Sequence, residues 1–226
     1  MIADVDISEP ASLIGDPTRA VFLMALSEGQ SLPAGELAHR AGVTPSTASI
    51  QLAKLVDGGL LTVERHGRHR YYSLAEPAIA AAIESLAVIA PRRPASSLKQ
   101  ARIGLDLQAA RTCYDHLAGA LGVALFDALL AKRVLTSDLE PTRSGSRRLG
   151  DLGVDVEGAA EGRRAFARRC LDWSERRDHL AGALGAAIAT RFFELGWIER
   201  TPSSRAVRVT EAGRAGLARE LAVRLG

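Results

Sequence analysis

One stretch of the sequence, residues 33–74, constrains the fold of this chain more than any other. It holds a short helical pattern, the break Gly42-Val43-Thr44, and then a second helical pattern. Gly42 suits the left-handed position that ends a helix, and Thr44 suits the N-cap of a helix whose first residue is Pro45. Two helices joined by so short a turn predict a helix-turn-helix.

The second helix of this pair has one apolar and one polar face. Ala48, Leu52, Leu55 and Val56 recur at helical spacing and predict the buried side. The other side carries hydroxyls, an amide and a lysine, which suit contacts to phosphates and base edges. We expect DNA contacts from Thr44, Ser46, Thr47, Ser49, Gln51 and Lys54.

A basic hairpin is predicted directly after the second helix. Leu60–Arg65 and Arg70–Leu74 have the pattern of two short strands around the turn at residues 66–69. Residues 31–75 contain five lysines and arginines against three acids, a balance of +2. A helix-turn-helix followed by such a hairpin predicts a winged helix, with Arg68 and Arg70 reaching the phosphate backbone.

Residues 10–90 resemble the ArsR family of bacterial repressors. The resemblance lies in Asp16-Pro17-Thr18-Arg19, in GVTPSTASIQLAKLVDGGLL (residues 42–61), and in Gly67 followed by Tyr71-Tyr72-Ser73-Leu74. It implies a winged helix-turn-helix repressor that binds a double-stranded operator as a homodimer. Many members carry His-His where this chain has Ile50-Gln51, so no base preference is carried over.

Two helices outside the helix-turn-helix complete the predicted N-terminal domain, residues 1–90. After an acidic leader, an amphipathic helix should run from Glu9 or Pro10 to Glu28, where the resemblance implies a part of the dimer interface. Ala78–Ala90 is alanine-rich and permits close helix packing, so we interpret it as the dimer helix. The positions of the family's metal sites lack the ligands here, because Ala34–Arg40 has no cysteine and Ala78–Ala90 has no histidine or aspartate.

Composition and charge indicate an ordinary globular protein. The chain has 226 residues, 47% of them hydrophobic, and a net charge of +3. It lacks an apolar run of about 18 residues and a basic signal-peptide start. We therefore expect a cytoplasmic protein without a membrane partner.

The C-terminal part, residues 99–226, follows a Pro- and Ser-containing linker at residues 91–98 and contains an internal repeat. Residues 115–122 and residues 178–185 share the same eight letters, Asp-His-Leu-Ala-Gly-Ala-Leu-Gly. Each copy continues into an apolar helix and, later, a threonine N-cap, at Thr142 and Thr210. We predict a duplicated helix–hairpin–helix domain, with repeats at about 111–150 and 174–220. The whole chain is then mainly α with small β-hairpins, an α+β fold.

Candidate sensing residues surround the repeated letters. Cys113 and His116 are three residues apart and would share one face of a predicted helix. A second helix would align Asp172, Glu175 or Arg176, and His179. If the copies pack about a pseudo-twofold axis, the two histidines become equivalent and the segments of Cys113 and Cys170 can face each other.

Three interpretations of these residues stay open. They are a structural network of buried thiols, histidines and acids; a transition-metal site such as a zinc site; and a pocket for an organic or thiol-reactive effector. The cofactor is accordingly either absent or a transition metal. The third interpretation favours Cys170, beside Arg168 and Arg169, as a reactive and exposed thiol. The metal ligands would be Cys113, His116, Cys170, Asp172 and His179, and the pocket residues Tyr114, Trp173 and Arg176.

We do not expect an enzyme, because the sequence has no Gly-rich phosphate loop, no GxSxG and no HExxH. The prediction is a homodimeric DNA-binding repressor whose C-terminal domain senses a metal, thiol-reactive or organic signal. The alternative is a DNA-binding or architectural module whose C-terminal domain binds another protein and no small ligand.

Overall fold

The structure, a computed structural model, describes residues 5–27, 29–91, 94–95, 97–162, 164–202 and 204–224. It divides into two compact units, residues 1–83 and residues 84–226. Glu28, the predicted end of the first helix, lies outside the described residues. Among the described residues, no helix combines the length and the apolar character needed to span a bilayer.

The N-terminal unit is built from short helices and a three-stranded antiparallel sheet with the order β1-β3-β2. Its elements are α1 (Ser8–Ile14), α2 (Pro17–Leu26), β1 (Leu32–Pro33), α3 (Ala34–Ala41), α4 (Pro45–Asp57), β2 (Leu61–His66) and β3 (His69–Leu74). Helix α5 (Pro77–Ile89) follows and continues past the boundary between the two units.

The helix-turn-helix of α3 and α4 is confirmed, and so are the residues that define its turn. Gly42 adopts φ +65°, the left-handed conformation, and the Thr44 hydroxyl accepts a hydrogen bond from the Thr47 amide. Strands β2 and β3 pair from Leu61↔Leu74 to His66↔His69, which leaves Gly67-Arg68 as a two-residue turn. The predicted wing is therefore present.

The predicted single helix from residue 9 or 10 to residue 28 is wrong, since the chain forms α1 and α2 there. The Asp16 carboxylate accepts hydrogen bonds from the amides of Thr18 and Arg19, so Asp16 caps a new helix that begins at Pro17. Proline is well suited to a first helical position and poorly suited to a helix interior. The sequence Asp-Pro therefore starts a helix here.

The C-terminal unit consists of helices and small antiparallel hairpins. Its elements are α6 (Leu98–Ala109), β4 (Arg111–Cys113), β5 (His116–Ala118), α7 (Gly119–Ala131), α8 (Arg143–Asp151), α9 (Val156–Glu161), β6 (Arg168–Leu171), β7 (Asp178–Ala181), α10 (Ala183–Glu194), β8 (Ile198–Arg200), β9 (Val207–Val209) and α11 (Glu211–Leu221). Pairs β4-β5, β6-β7 and β8-β9 each form a two-stranded sheet.

Two helices predicted around the cysteines are wrong, because both segments form hairpins. Cys113 lies opposite His116 across β4 and β5, and Cys170 lies opposite His179 across β6 and β7. A separation of three residues places two side chains on one face of a helix, but it equally places them opposite each other across a two-residue turn. Spacing alone could not distinguish the two structures. Each half of the C-terminal unit therefore has a hairpin before its apolar helix, at the place where a helix was predicted.

The core of the C-terminal unit lies between α7, α10 and the elements that cover them. Leu121, Phe126 and Phe192 are among its fully buried side chains, and Phe192 packs against Trp197 with ring centroids 5.1 Å apart. Both predicted threonine caps are present, since the Thr142 hydroxyl accepts from the Gly145 amide and the Thr210 hydroxyl from the Gly213 amide.

Gly145→Ala and Gly150→Ala should have opposite effects, although both positions lie in α8. A methyl group at Gly145 would overlap the Val134 carbonyl, whereas one at Gly150 would meet nothing within 4 Å. We expect Gly145→Ala to lower the free energy of unfolding by about 1–3 kcal/mol. Gly150→Ala should raise it by up to about 1 kcal/mol, because alanine is the better helix former. Urea denaturation monitored by tryptophan fluorescence measures both changes in the free energy of unfolding. Equal changes in the two variants would contradict the close contact between Gly145 and Val134.

Candidate DNA interface and metal centre

The polar face of α4 is accessible, as a DNA-reading helix requires. Ser46, Ser49 and Lys54 are exposed, and Thr47 is half-buried. Thr44 is exposed as well, but its hydroxyl is engaged with the Thr47 amide and with the hydroxyls of Ser46 and Thr47. It therefore fixes the start of α4, where the backbone amides of a helix favour a phosphate.

Gln51 is held by an arginine of the same unit. Arg19 is buried and donates to the carbonyl oxygens of Leu13 (2.7 Å) and Ser12 (2.9 Å) and to Gln51 Oε1 (2.7 Å). The guanidinium group thus joins α1, α2 and α4. This contact fixes the Gln51 amide group and leaves its nitrogen free of that hydrogen bond for the base contact expected from the sequence.

Ile50 is a surface residue that the sequence analysis did not select. Its side chain is 60% exposed on α4, between Ser49 and Gln51. An apolar side chain on a recognition helix can contact the methyl group of thymine. The sequence could have indicated this residue, because an isoleucine at position 50 does not fit the spacing of the buried apolar residues of α4.

The wing carries exposed arginines on both sides of its turn. Arg65 and Arg70 are cross-strand partners, and Arg68 occupies the turn beside Gly67 at φ +61°. Arg68 Nε donates to His69 Nε2 over 3.3 Å. All three guanidinium groups are exposed, and the phosphate contacts expected of Arg68 and Arg70 stay a prediction.

Four predicted ligands come together in the C-terminal unit. One ligand atom from each of Cys113, His116, Cys170 and His179 lies within 4.8 Å of the others, and all four side chains are buried. The two sulfur atoms are 4.0 Å apart, and the Nε2 atoms of the histidines are 3.2 Å apart. The imidazole rings stack with centroids 5.1 Å apart. We refer to these four residues as the Cys/His cluster.

Two glycines lie close to the histidines, and each is required first by backbone packing: an added Cβ at Gly122 would overlap the Leu117 carbonyl oxygen, and one at Gly185 the Leu180 carbonyl oxygen. A methyl group at Gly122 would lie 3.5 Å from the His179 Cβ, and one at Gly185 would lie 3.2 Å from the His116 Cβ. These glycines are the last letters of the two eight-residue segments. Each hairpin therefore packs its histidine against the helix that follows the other hairpin.

A carboxylate lies behind each histidine. His116 Nδ1 is 3.3 Å from Asp115 Oδ1, and His179 Nδ1 is 3.5 Å from Asp172 Oδ2, the latter a charge contact without the alignment of a hydrogen bond. Asp172, predicted as a possible ligand, is thus a neighbour of a ligand. Carboxylates in this position orient imidazoles and leave Nε2 available for an ion.

Asp172 is the centre of a buried polar network. Its carboxylate accepts from Arg111 Nη2 (3.0 Å), from the Gly119 amide (2.6 Å) and from the amide and hydroxyl of Ser174. Burial alone would raise the pKa of Asp172, but the Arg111 charge and these hydrogen bonds hold it well below its ordinary value. Arg111 is equally buried and stacks over the Trp173 ring at 4.5 Å.

The contact between the two cysteine thiols shifts their pKa values in opposite directions. The pKa of Cys170 is lowered, first by the hydrogen bond from the Cys113 thiol and then by the two imidazoles, while burial opposes the shift. The same contact, followed by burial, raises the pKa of Cys113. Cys170 is therefore the more acidic thiol of the pair, but it is buried, so the exposure expected for a reactive thiol is wrong.

The three residues predicted to line an effector pocket do not line the groove found beside α6 in the C-terminal unit. That groove, of about 410 Å³, is lined by residues that include Arg102, Asp106 and Arg214. Tyr114 and Arg176 occupy hairpin turns at φ +60° and +54°, and Trp173 lies on Arg111. A pocket formed by these three residues stays a prediction.

Comparison with known proteins places this geometry in a family. The pattern of a helix-turn-helix domain matches residues 14–64. The HTH-type transcriptional regulator YdfF of Bacillus subtilis is 45% identical over 223 residues, which cover 97% of this chain and 99% of YdfF. The chain belongs to the HTH-type transcriptional regulators. Because the alignment with this regulator is nearly full-length, it includes the C-terminal unit and the Cys/His cluster positions.

Other regulators of this kind match a smaller share of this chain. The HTH-type transcriptional regulator CmtR of Mycobacterium tuberculosis is 38% identical over 73 residues, 32% of this chain and 61% of CmtR. The structure of the transcriptional repressor BigR from Xylella fastidiosa is 25% identical, with a TM-score of 0.36 over 38% of this chain and 88% of BigR.

Proposed function

We propose that this HTH-type regulator is a repressor that binds a double-stranded operator as a homodimer. A signal received by its C-terminal domain would determine whether the operator is bound or released. The observation that carries the proposal is the exposed polar face of α4 beside a hairpin with three exposed arginines. A helix with such a face enters the major groove, and the wing contacts flanking phosphates.

The proposed contacts divide into positioning and reading groups. Thr44, Thr47 and the amides at the start of α4 would hold a phosphate, and Arg68 and Arg70 would hold others through the wing. Ile50 and the amide nitrogen of Gln51 would meet base edges. The remaining predicted contacts are Ser46, Ser49 and Lys54, which are exposed along the same face.

The proposed dimer forms through α5. Ala78, Ala82, Leu86 and Ile89 are exposed and lie at positions i, i+4, i+8 and i+11, so they form one apolar face of the helix. Leu86 is 44% exposed and Ile89 is 79% exposed. Small residues beside large apolar ones suit a close helix–helix contact with a second copy, and a twofold dimer would present two α4 helices to successive major grooves.

We further propose that the Cys/His cluster receives the signal. Glu84, on α5, is buried and forms an ion pair with Arg205. The Arg205 carbonyl accepts from the Thr112 amide at 2.9 Å, one residue before Cys113. A change at the cluster therefore has a short, buried route to the helix that we assign to the dimer.

The two halves of the C-terminal unit are proposed to derive from a duplication. The support is the eight-residue identity together with the equivalent pairs Cys113–His116 and Cys170–His179. In this interpretation the cluster lies where the two copies meet and takes two ligands from each.

Arg68→Ala should weaken binding to every duplex and make binding less dependent on salt. Each lost phosphate contact lowers the magnitude of the slope of log K against log salt by about 1, so a dimer that loses one contact in each protomer should show a change of about 2. Arg147→Ala, which removes an exposed arginine from the C-terminal unit, is the matched control and should leave the slope unchanged. Fluorescence anisotropy with a labelled duplex at several salt concentrations measures both. Unchanged binding by Arg68→Ala would contradict the placement of the wing.

Selection of bound duplexes from a randomised library tests the proposal as a whole. We expect enrichment of a two-fold symmetric sequence with half-sites about one helical turn apart. Recovery of random sequences would support the alternative, in which the protein is an architectural or protein-binding module.

A further inference from the structure

We infer that the Cys/His cluster is a closed, four-coordinate site for a divalent d¹⁰ ion of the zinc class. The ligands would be the sulfur atoms of Cys113 and Cys170 and the Nε2 atoms of His116 and His179. The ion site stands on the geometry of the C-terminal unit, whereas its use in regulation rests on the proposed function.

The distances between ligand atoms match a tetrahedral site. Zinc–sulfur bonds of about 2.3 Å and zinc–nitrogen bonds of about 2.0–2.1 Å place two sulfurs about 3.8 Å apart and two nitrogens about 3.3 Å apart. The cluster has 4.0 Å and 3.2 Å for these separations. Tetrahedral S₂N₂ ligation is typical of zinc. All four ligand atoms lie within 4.8 Å of one another, so a single ion can reach them once the sulfur–nitrogen separations close to the roughly 3.6 Å of a tetrahedral site.

The histidines need a positive charge between them. Their Nδ1 atoms lie beside Asp115 and Asp172, which favours the proton on that side. The two Nε2 atoms then present lone pairs to each other at 3.2 Å. Two buried acceptors at this distance repel unless a proton or a metal ion lies between them, and a metal ion would bind both nitrogens at once.

The charges around the cluster favour a divalent ion over a monovalent one. Each nearby carboxylate already has an arginine, in the pairs Asp172–Arg111, Asp115–Arg164 and Glu84–Arg205. Two thiolates and a divalent ion sum to zero, whereas a monovalent ion would leave one buried negative charge. Burying a net charge is costly. Binding displaces the remaining thiol protons to solvent.

The ion would join two distant parts of the chain. Cys113 and His116 belong to the β4-β5 hairpin, and Cys170 and His179 belong to the β6-β7 hairpin. All four positions are taken by protein, so the site has no open position for catalysis. Occupancy would instead fix the two hairpins against each other.

The test uses the full-length protein, stripped of metal under reducing conditions and titrated with Co(II) and then Zn(II). We expect one Co(II) per chain with the visible bands of a tetrahedral, thiolate-containing site, and stoichiometric displacement by Zn(II). X-ray absorption of the zinc protein should show two sulfur and two nitrogen neighbours. That measurement uses the wild-type chain, so it does not depend on the folding of a variant.

His179→Gln should abolish the tetrahedral cobalt spectrum, whereas His39→Gln, at an exposed histidine of α3, should leave it unchanged. Oxygen and nitrogen neighbours only, a Cys113–Cys170 disulfide in the purified protein, or preference for Cu(I) with no uptake of Zn(II) would each overturn the inference. If the cluster binds an ion but the ion does not change operator affinity, the proposed sensing role is wrong and the ion site stands. Operator binding without an ion site would refute the site and leave the proposed repressor intact.

Discussion

Asp172→Ala should lower the free energy of unfolding of the C-terminal unit by about 3–5 kcal/mol, because it leaves a buried guanidinium without its partner. Arg111 and Asp172 are 3.0 Å apart and both side chains are inaccessible to solvent. The substitution also removes the acceptor of the Gly119 amide, at the start of α7. The loss should therefore exceed that of an ordinary surface ion pair several-fold.

Urea denaturation monitored by tryptophan fluorescence isolates this effect. Both tryptophans of the chain, Trp173 and Trp197, belong to the C-terminal unit, so the signal reports that unit alone. Measurements in the presence of a chelator separate the contribution of the ion pair to the free energy of unfolding from the contribution of any bound metal. The control is Asp178→Asn, which breaks the exposed Asp178–Arg169 pair and should cost less than about 1 kcal/mol. Similar losses in the two variants would show that Asp172 does not hold the unit together.

Leu86→Glu should reduce operator affinity by about 10²- to 10⁴-fold, since it converts a bivalent interaction with two half-sites into a monovalent one. Leu86 lies in the middle of the exposed apolar face of α5. A carboxylate there would have to be buried between two helices and would prevent the proposed dimer.

Leu171→Glu is the matched control, because Leu171 is also 44% exposed but lies on β6. Sedimentation velocity and anisotropy should show a monomer with weak binding for Leu86→Glu and a dimer with wild-type affinity for Leu171→Glu. A dimeric Leu86→Glu protein with full affinity would exclude α5 as the interface.

The winged helix could be predicted from sequence because local signals determine it. Gly42, Thr44 and Pro45 end one helix and start the next through their own backbone preferences, and the structure has them in those roles. The break between α1 and α2 had the same kind of signal, Asp16-Pro17, but the apolar periodicity across it suggested one helix. Where capping residues and periodicity disagreed, the capping residues were correct.

The Cys/His cluster was predicted with the wrong secondary structure. Cys113 and His116 meet across a hairpin. The equivalence of the two repeated segments suggested that the segments of Cys113 and Cys170 could face each other, and the two sulfur atoms are 4.0 Å apart. The partners that surround the cluster could not be found in this way. Arg111 and Asp172 are 61 positions apart and Glu84 and Arg205 are 121 apart, so only the packing of the unit brings them together.

Helix α6 was not predicted from the sequence, although its N-cap is a local signal. The Ser97 hydroxyl accepts a hydrogen bond from the Gln100 amide and starts the helix. Gly104, Leu107 and Gln108, at positions i, i+3 and i+4, form its half-buried side, and none of its residues is fully buried. A side with so little apolar surface gives a weak periodic signal in the sequence.

Operator affinity with and without Zn(II) tests the central claim that the Cys/His cluster controls DNA binding. The measurement compares metal-free and zinc-loaded wild-type protein on the selected operator, with His179→Gln in parallel. We predict a difference of about 5- to 150-fold in the wild type, the range of a coupling free energy of about 1–3 kcal/mol, and none in His179→Gln. Equal affinities of the metal-free and zinc-loaded wild type, with zinc bound, would contradict the claim.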